Sequence, residues 1–371
     1  MKFTVNRETF LKELFKVQGT GERKSTLPIL SNVLITAENK KVSLLSTNME
    51  VGIQTSFEDE VIEKGRTTAS AKVLYDICKE MQSNVLDIEL DDNFLKIRGG
   101  KTESRIPTLP ASDFPKIQLP TKTTNVTIDS SVLKDMMDKV SFCASTDETK
   151  YHLNSVYIDN ATNKGWLRMV STDGHRLGIV DRPVCSLEDL GSSKGILIPK
   201  KGAYELSKIV ETSEKVSILY EAGYFYLIAG NTTVFVKEMD LEYPDYLRVV
   251  PTNNDKSFKV KRSEMLSALK VVSIMSTVKS RTVLMTVNNG SITLNSKSPE
   301  IGESNTEIEV DYSKTPMEIK FNSKYIIDIL SALNDDIITF MMGEPLSPVM
   351  IKPEKGGDNN DNIYVVMPMR L

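Results

Sequence analysis

The chain has 371 residues, with 46 Lys+Arg against 50 Asp+Glu and a formal net charge of −4. Apolar residues make up 40% and charged residues 26%, a globular mixture with room for about two to three domains. These figures exclude a uniformly basic nucleic-acid coat, but not a nucleic-acid partner, because binding depends on where charge sits.

Residues 6–18 place Phe10, Leu11, Leu14, Phe15 and Val17 at helical spacing behind a candidate N-cap, Asn6. Short β-rich runs follow at Val42 to Leu45, Val85 to Leu90 and Phe94 to Arg98. Between them, residues 70–82 read as a second helix through Val73, Leu74, Ile77 and Cys78. The same order returns. A helix is predicted over 129–145 (Val132, Leu133, Met136, Met137, Val140, Phe142; candidate cap Asp129) and another over 199–212 (Tyr204, Leu206, Ile209, Val210). Strands are predicted at Val216 to Tyr220 and Phe225 to Ile228. A third round follows: helix 261–276 (Met265, Leu266, Leu269, Val271, Val272, Ile274; candidate cap Ser263), strand Val283 to Val287, helix 322–334 (Tyr325, Ile326, Ile329, Leu330) and strand Ile337 to Met341. Turn residues bound these strands at Asp91-Asp92-Asn93, Glu221-Ala222-Gly223 and Asn288-Asn289-Gly290.

The first helices of the rounds start 123 and 132 residues apart, and the second helices 129 and 123. Local echoes keep the period: Leu45-Ser46-Thr47-Asn48 returns as Val170-Ser171-Thr172-Asp173, and Asp113-Phe114-Pro115 as Glu242-Tyr243-Pro244. We read three α+β copies, each with two helices and antiparallel strands, over 1–120, 125–250 and 256–371. The linkers are the Pro/Thr/Asn-rich stretches 119–124 and 250–255.

Catalytic and metal motifs are scarce. Cys78, Cys143 and Cys185 share no CxxC spacing, so they read as reduced thiols of a cytoplasmic protein. His152 and His175 are too few for a His-rich metal site, and no cofactor is expected. The start of the chain has no apolar core of a signal peptide, and no apolar run spans a membrane. Gly19 to Ser25 lacks the Gly-Lys pair and the strand–loop–helix order of a phosphate loop, so it reads as an exposed basic loop. Asp91-Asp92 and Asp335-Asp336 read as hairpin turns, and 357–362 as a polar loop without EF-hand alternation. Asp173-Gly174-His175-Arg176 is the most enzyme-like segment. It leaves open a hydrolase in which Asp173 orients His175. The apolar ending, Ile363 to Leu371, reads as a docked tail whose Met367 and Met369 suit a groove that accepts several ligands. The six helical windows together carry a net +3, a weak signal for helices facing a polyanion.

Several motifs together resemble the bacterial DNA polymerase sliding clamps, the β subunits of the replicative polymerase, over the full length. They are Met1 to Val5, Thr26 to Leu30, Ser171 to Leu177, Tyr243-Pro244-Asp245-Tyr246, Phe321 to Tyr325 and Tyr364 to Leu371. The resemblance implies a head-to-tail homodimer whose six domains close a ring around duplex DNA. It implies an accessory factor with no catalytic site. Its partners would be the polymerase catalytic subunit, the clamp loader and other replication or repair proteins, held through short peptide motifs.

Carried over by motif, the peptide groove comprises Leu153, Thr172, Gly174, His175, Arg176, Leu177, Pro244, Arg248, Val249, Asn322, Tyr325, Val365, Val366, Met367, Pro368, Met369 and Arg370. The DNA-contacting set is Arg23, Lys24, Lys72, Lys200, Lys201 and Arg281, and the subunit interface pairs Ser104 and Ile106 with Ile274 and Met275. Two positions depart from the family pattern. Leu247 stands where a basic rim residue is common, and Ser104 where a large apolar residue is carried. A monomeric peptide-binding scaffold is the remaining alternative.

Overall fold

In the computed structural model the described residues are 1–20, 27–121, 126–277, 281–354 and 361–369. Among them are the helices α1 (Arg7–Val17), α2 (Ala71–Glu80), α3 (Ser130–Ser141), α4 (Leu187–Leu190), α5 (Lys200–Val210), α6 (Arg262–Ser273) and α7 (Ser323–Ala332). All but the single turn α4 fall in predicted windows. Each predicted strand is present and extends by one to three residues. With antiparallel pairing throughout, the chain is α+β.

The threefold pattern is written in hydrogen bonds. The first amide of α1, Arg7 N, donates to Asn84 O at 2.9 Å. Ser130 N of α3 donates to Glu214 O at 2.9 Å, and Arg262 N of α6 to Asp336 O at 2.8 Å. In each copy the start of the first helix is tied to the link between the second helix and its following strand. This satisfies an amide that has no partner within its own helix. The echoed tetrapeptides also fold alike. Thr47 Oγ1 donates to Val51 O (2.9 Å) and accepts from Met49 N (3.0 Å), while Asn48 Oδ1 accepts from Val51 N (2.8 Å). Thr172 Oγ1 donates to Arg176 O (2.6 Å) and accepts from Gly174 N (3.1 Å), while Asp173 Oδ1 accepts from Arg176 N (3.0 Å). Met49 and Gly174 take the same left-handed position, φ 78° and 89°.

The chain divides into two compact units. The first holds Met1–Leu133, Glu188–Ser192 and Lys201–Glu238. Its thirteen-stranded sheet runs in spatial order Val126–Asp129, Lys215–Glu221, Tyr224–Ala229, Thr232–Lys237, Val51–Glu58, Lys41–Thr47, Asn32–Glu38, Gly65–Ser70, Thr102–Leu109, Phe94–Gly99, Val85–Asp91, Lys2–Asn6 and Glu60–Glu63. Pairing of Thr232–Lys237 with Val51–Glu58 joins part of the second copy to the first.

The second unit holds Lys134–Leu187, Ser193–Lys200 and Met239–Leu371. One of its sheets runs Ile196–Pro199, Ser155–Asn160, Leu167–Thr172, Arg176–Arg182, Asp361–Val366, Val349–Pro353, Ile337–Met342 and Lys256–Lys261. The other runs Gly302–Glu309, Ser291–Ser298, Thr282–Asn288 and Met317–Asn322. Here Arg176–Arg182 pairs with Asp361–Val366, so the chain's last strand is sewn to the second copy.

Some local expectations are corrected. Ser263 lies inside α6, whose N-cap is Lys261 and carries no side-chain cap bond. Asn6 does cap α1, accepting from Glu8 N and Thr9 N. Asp335 and Asp336 lie in the link from α7 to strand Ile337–Met342 rather than in a hairpin, and both carbonyls accept from Arg262. Phe15, Val73 and Val271, taken as core-facing, are 63%, 44% and 51% exposed.

Candidate functional site

The site grows from the turn Thr172 to Arg176 in the second unit. Asp173 holds this turn by accepting from His175 N (2.9 Å) and Arg176 N (3.0 Å). Its carboxylate is therefore spent on backbone and on Arg176 Nε (3.2 Å), not on the imidazole. The His175 ring instead lies parallel to Tyr325 of α7, with centroids 6.2 Å apart. A base oriented by Asp173 is not what this geometry builds.

Arg176 is the hub. Its guanidinium is buried, donates from Nη1 to Asp328 Oδ2 (2.7 Å) and from Nη2 to Phe142 O (2.6 Å), and lies 4.8 Å from the Tyr325 ring centroid. Pairing and backbone bonds offset the cost of burying this charge. Lys324 shares Asp328, at 2.7 Å. Tyr325 is pushed above the usual phenol range, first by burial and then by Asp173. Asn322 caps α7 by accepting from Lys324 N at 3.1 Å.

The tail is fixed on both sides. Met367 N donates to His175 O and Met369 N to Lys320 O, both at 2.8 Å. Met367 stays 37% exposed. Leu177 and Val365 pack with Val170, Ile179 and Tyr246 in one apolar cluster. Val366, one residue on, alternates into the core of the third copy and is fully buried. Leu153 is buried, and its carbonyl accepts from Ser145 N at 2.9 Å. Pro244, Arg248 and Val249 are exposed on a loop whose Tyr243 ring stacks on Tyr157 (4.8 Å, 15°). Arg248 pairs with Asp245. Arg370 lies outside the described residues.

Reading the sequence missed three contributors. Asp328 and Phe142 meet Arg176 from 152 and 34 residues away, and no local spacing announces such contacts. Val349 pairs with Val366, next to Met367 in the chain, and the loop that leads into Val349 exposes Leu346 (59%). The apolar Leu346-Ser347-Pro348 run was the available signal.

Of the residues carried over as DNA contacts, Arg23 and Lys24 lie outside the described residues. Lys72 is exposed on the first turn of α2 and lines a cleft of about 570 Å³ with Phe15, Ser70 and Lys208. Lys201 is half-buried in the first unit. Lys200 Nζ donates to Ala144 O at 2.9 Å, and burial, then Arg176, holds it below the usual lysine range. Arg281 has φ 44° and its carbonyl accepts from Ser323 N at the start of α7. Of the interface residues, Ser104 is half-buried and Ile106 buried on strand Thr102–Leu109, while Ile274 is 66% exposed and Met275 half-buried. Among the described residues no group of three His, Cys, Asp or Glu could hold a metal ion.

Three family models match in succession. They are the DNA polymerase III beta subunit N-terminal domain over residues 1–119, the central domain over 127–245 and the C-terminal domain over 247–370. The beta sliding clamp of Pseudomonas aeruginosa is 34% identical, with 100% of each chain covered. The crystal structure of the DNA polymerase III subunit beta from that organism superposes with a TM-score of 0.91 at 32% identity, covering 100% of both chains. A sliding clamp from Bartonella birtlesii bound to griselimycin superposes with a TM-score of 0.94 at 33% identity, again over 100% of both.

Proposed function

Because this chain belongs to the DNA polymerase III beta subunit family, the beta sliding clamps, we propose that the site around Arg176 is the groove through which it tethers its partners. The protein is a DNA sliding clamp, an accessory processivity factor rather than a catalyst. Two copies, each of three domains (1–120, 125–250 and 256–371), close head to tail around duplex DNA. A closed ring leaves the duplex only at an end, so residence does not need tight contacts. Loose attraction of phosphates by Lys72, Lys200, Lys201, Arg281, Arg23 and Lys24 lets it slide, and the net charge of −4 suits that economy of grip.

Ring closure is supported by an open sheet edge in the first copy and another in the third. Among the described residues, only Thr108 and Leu109 of Thr102–Leu109 pair with a second strand, and Gly302–Glu309 pairs only with Ser291–Ser298. Such edges invite a partner strand. Ser104 and Ile106 meet Ile274 and Met275 in this arrangement.

The observation that carries the groove reading is the tail. It is anchored to His175 and Lys320 by its backbone, while Met367 stays exposed beside the Leu177–Val365 wall. The polymerase, the loader and repair proteins dock there through short apolar motifs. No helix among the described residues is long and apolar enough to cross a membrane. Cys78, Cys143 and Cys185 are buried and form no disulfide among the described residues, which suits a cytoplasmic replication protein.

Griselimycin is the available probe. The unaltered chain binds it, and Tyr325→Ala and a chain ending at Val366 both lose at least about tenfold in affinity by calorimetry, on the scale of a lost anchor residue. Equal binding by all three proteins would remove the groove from this site.

A further inference from the structure

We propose that Tyr246 is a positioning residue for partner binding: its phenol hooks the rim segment Leu247 to Val249 onto a ladder of charged residues beneath the groove. This rests on the groove reading above. Asp159, Arg168 and Asp181 are direct cross-strand partners on three neighbouring strands. Residues opposed in this way project from the same face of the sheet. Arg168 and Asp181 are both buried, and Asp181 takes both prongs of the guanidinium, at 2.8 and 2.7 Å. Asp159 Oδ1 accepts from Asn160 N at 2.8 Å, which leaves Oδ2 to find another donor.

Tyr246 supplies it. Its hydroxyl donates to Asp159 Oδ2 at 2.9 Å and accepts from Arg168 Nη1 at 3.5 Å, so the phenol bridges the two ladder residues. The ring packs in the cluster that contains the groove-wall residues Leu177 and Val365. One turn onward the chain exposes Leu247 (55%), Arg248 and Val249 (43%). This 3₁₀ turn holds itself by one long backbone bond, 3.4 Å for Arg248 N to Asp245 O, by a 3.2 Å bond from Val250 N to Leu247 O and by an exposed Arg248–Asp245 ion pair, which in water adds little. Its position is therefore set by the hook and by the Tyr243–Tyr157 stack. A bond to a charged acceptor is stronger than a neutral one, which makes the phenol a firm part of that hold.

A rim held in place costs a partner no ordering on binding. Loss of the hook should therefore show in dissociation, since interface changes act mostly there. The test is griselimycin dissociation by surface plasmon resonance. Tyr246→Phe is expected to dissociate about fivefold faster, a loss of about 1 kcal/mol. Asp159→Ala is expected to do the same, and the double variant no more than either alone. Asp159→Asn keeps a neutral acceptor for the phenol and is expected to dissociate more slowly than Asp159→Ala, though faster than the unaltered chain, a graded response that a general loss of stability would not give. Should Tyr246→Phe fail to fold, the Asp159 pair carries the comparison. Unchanged dissociation in Tyr246→Phe or Asp159→Ala, or additive effects in the double variant, would overturn the hook. If the unaltered chain does not bind griselimycin at all, the groove reading falls first and takes the hook with it.

Discussion

Gly52 faces Phe235 across the pairing of Val51–Glu58 with Thr232–Lys237. A Cβ built on Gly52 would meet Phe235 Cζ at 1.9 Å, inside the ring itself. Only glycine lets this ring lie flat over the backbone. Gly52→Ala is expected to destabilise by about 1–3 kcal/mol, and Gly52→Ala with Phe235→Leu by less than the sum of the single changes. Thermal unfolding of the four proteins checks this. Legibility at this scale was uneven. Asn6 was readable as a cap because capping is a local act. His175 was not readable as a ring stacked on Tyr325, because that contact joins residues 150 apart in sequence. The Asp-Gly-His-Arg run looked catalytic for the same reason. Its Asp serves a turn, a use shared with Asn48 in the first copy.

At the scale of elements, helix α1 carries a buried ion pair on its inner face. Lys16 Nζ lies 2.7 Å from Glu13 Oε2, both side chains are under a tenth exposed, and the lysine also donates to Thr232 Oγ1 at 3.0 Å. Thr55 donates to the same Glu13 and lies 3.0 Å from Thr232. The network thus locks the helix to the two strands that join first and second copies. Lys16→Met leaves Glu13 buried and unpaired, and is expected to cost about 3–5 kcal/mol in denaturant unfolding. Adding Glu13→Leu is expected to recover most of it, because no charge is then left inside. A loss in the double variant as large as in Lys16→Met would contradict the lock. Helical periodicity placed α1, α2, α3, α5, α6 and α7 and most of the apolar residues they bury, Phe10, Leu14 and Val17 of α1 among them, but not the buried charges or the rings left outside. Charged Glu13 and Lys16 went inside while Phe15 stayed out, a choice made by the partner strands and not by the helix.

At the scale of the molecule, the threefold repeat was legible because the spacing of helices and turns survives in the sequence. The strand exchanges that weld the copies were not. Thr232–Lys237 with Val51–Glu58, and Arg176–Arg182 with Asp361–Val366, are long-range pairings that alternation does not specify. The repeat also explains the missing chemistry. A chain built as a ring segment works by closure and by a groove. Closure is the central claim, and topology tests it directly. The clamp is loaded by its host's clamp loader onto nicked circular duplex DNA, the complex is isolated by gel filtration, and the circle is cut once with a restriction enzyme. The account expects the protein to stay with the intact circle and to leave after the cut. Equal retention on the circle and on the linear product would contradict it.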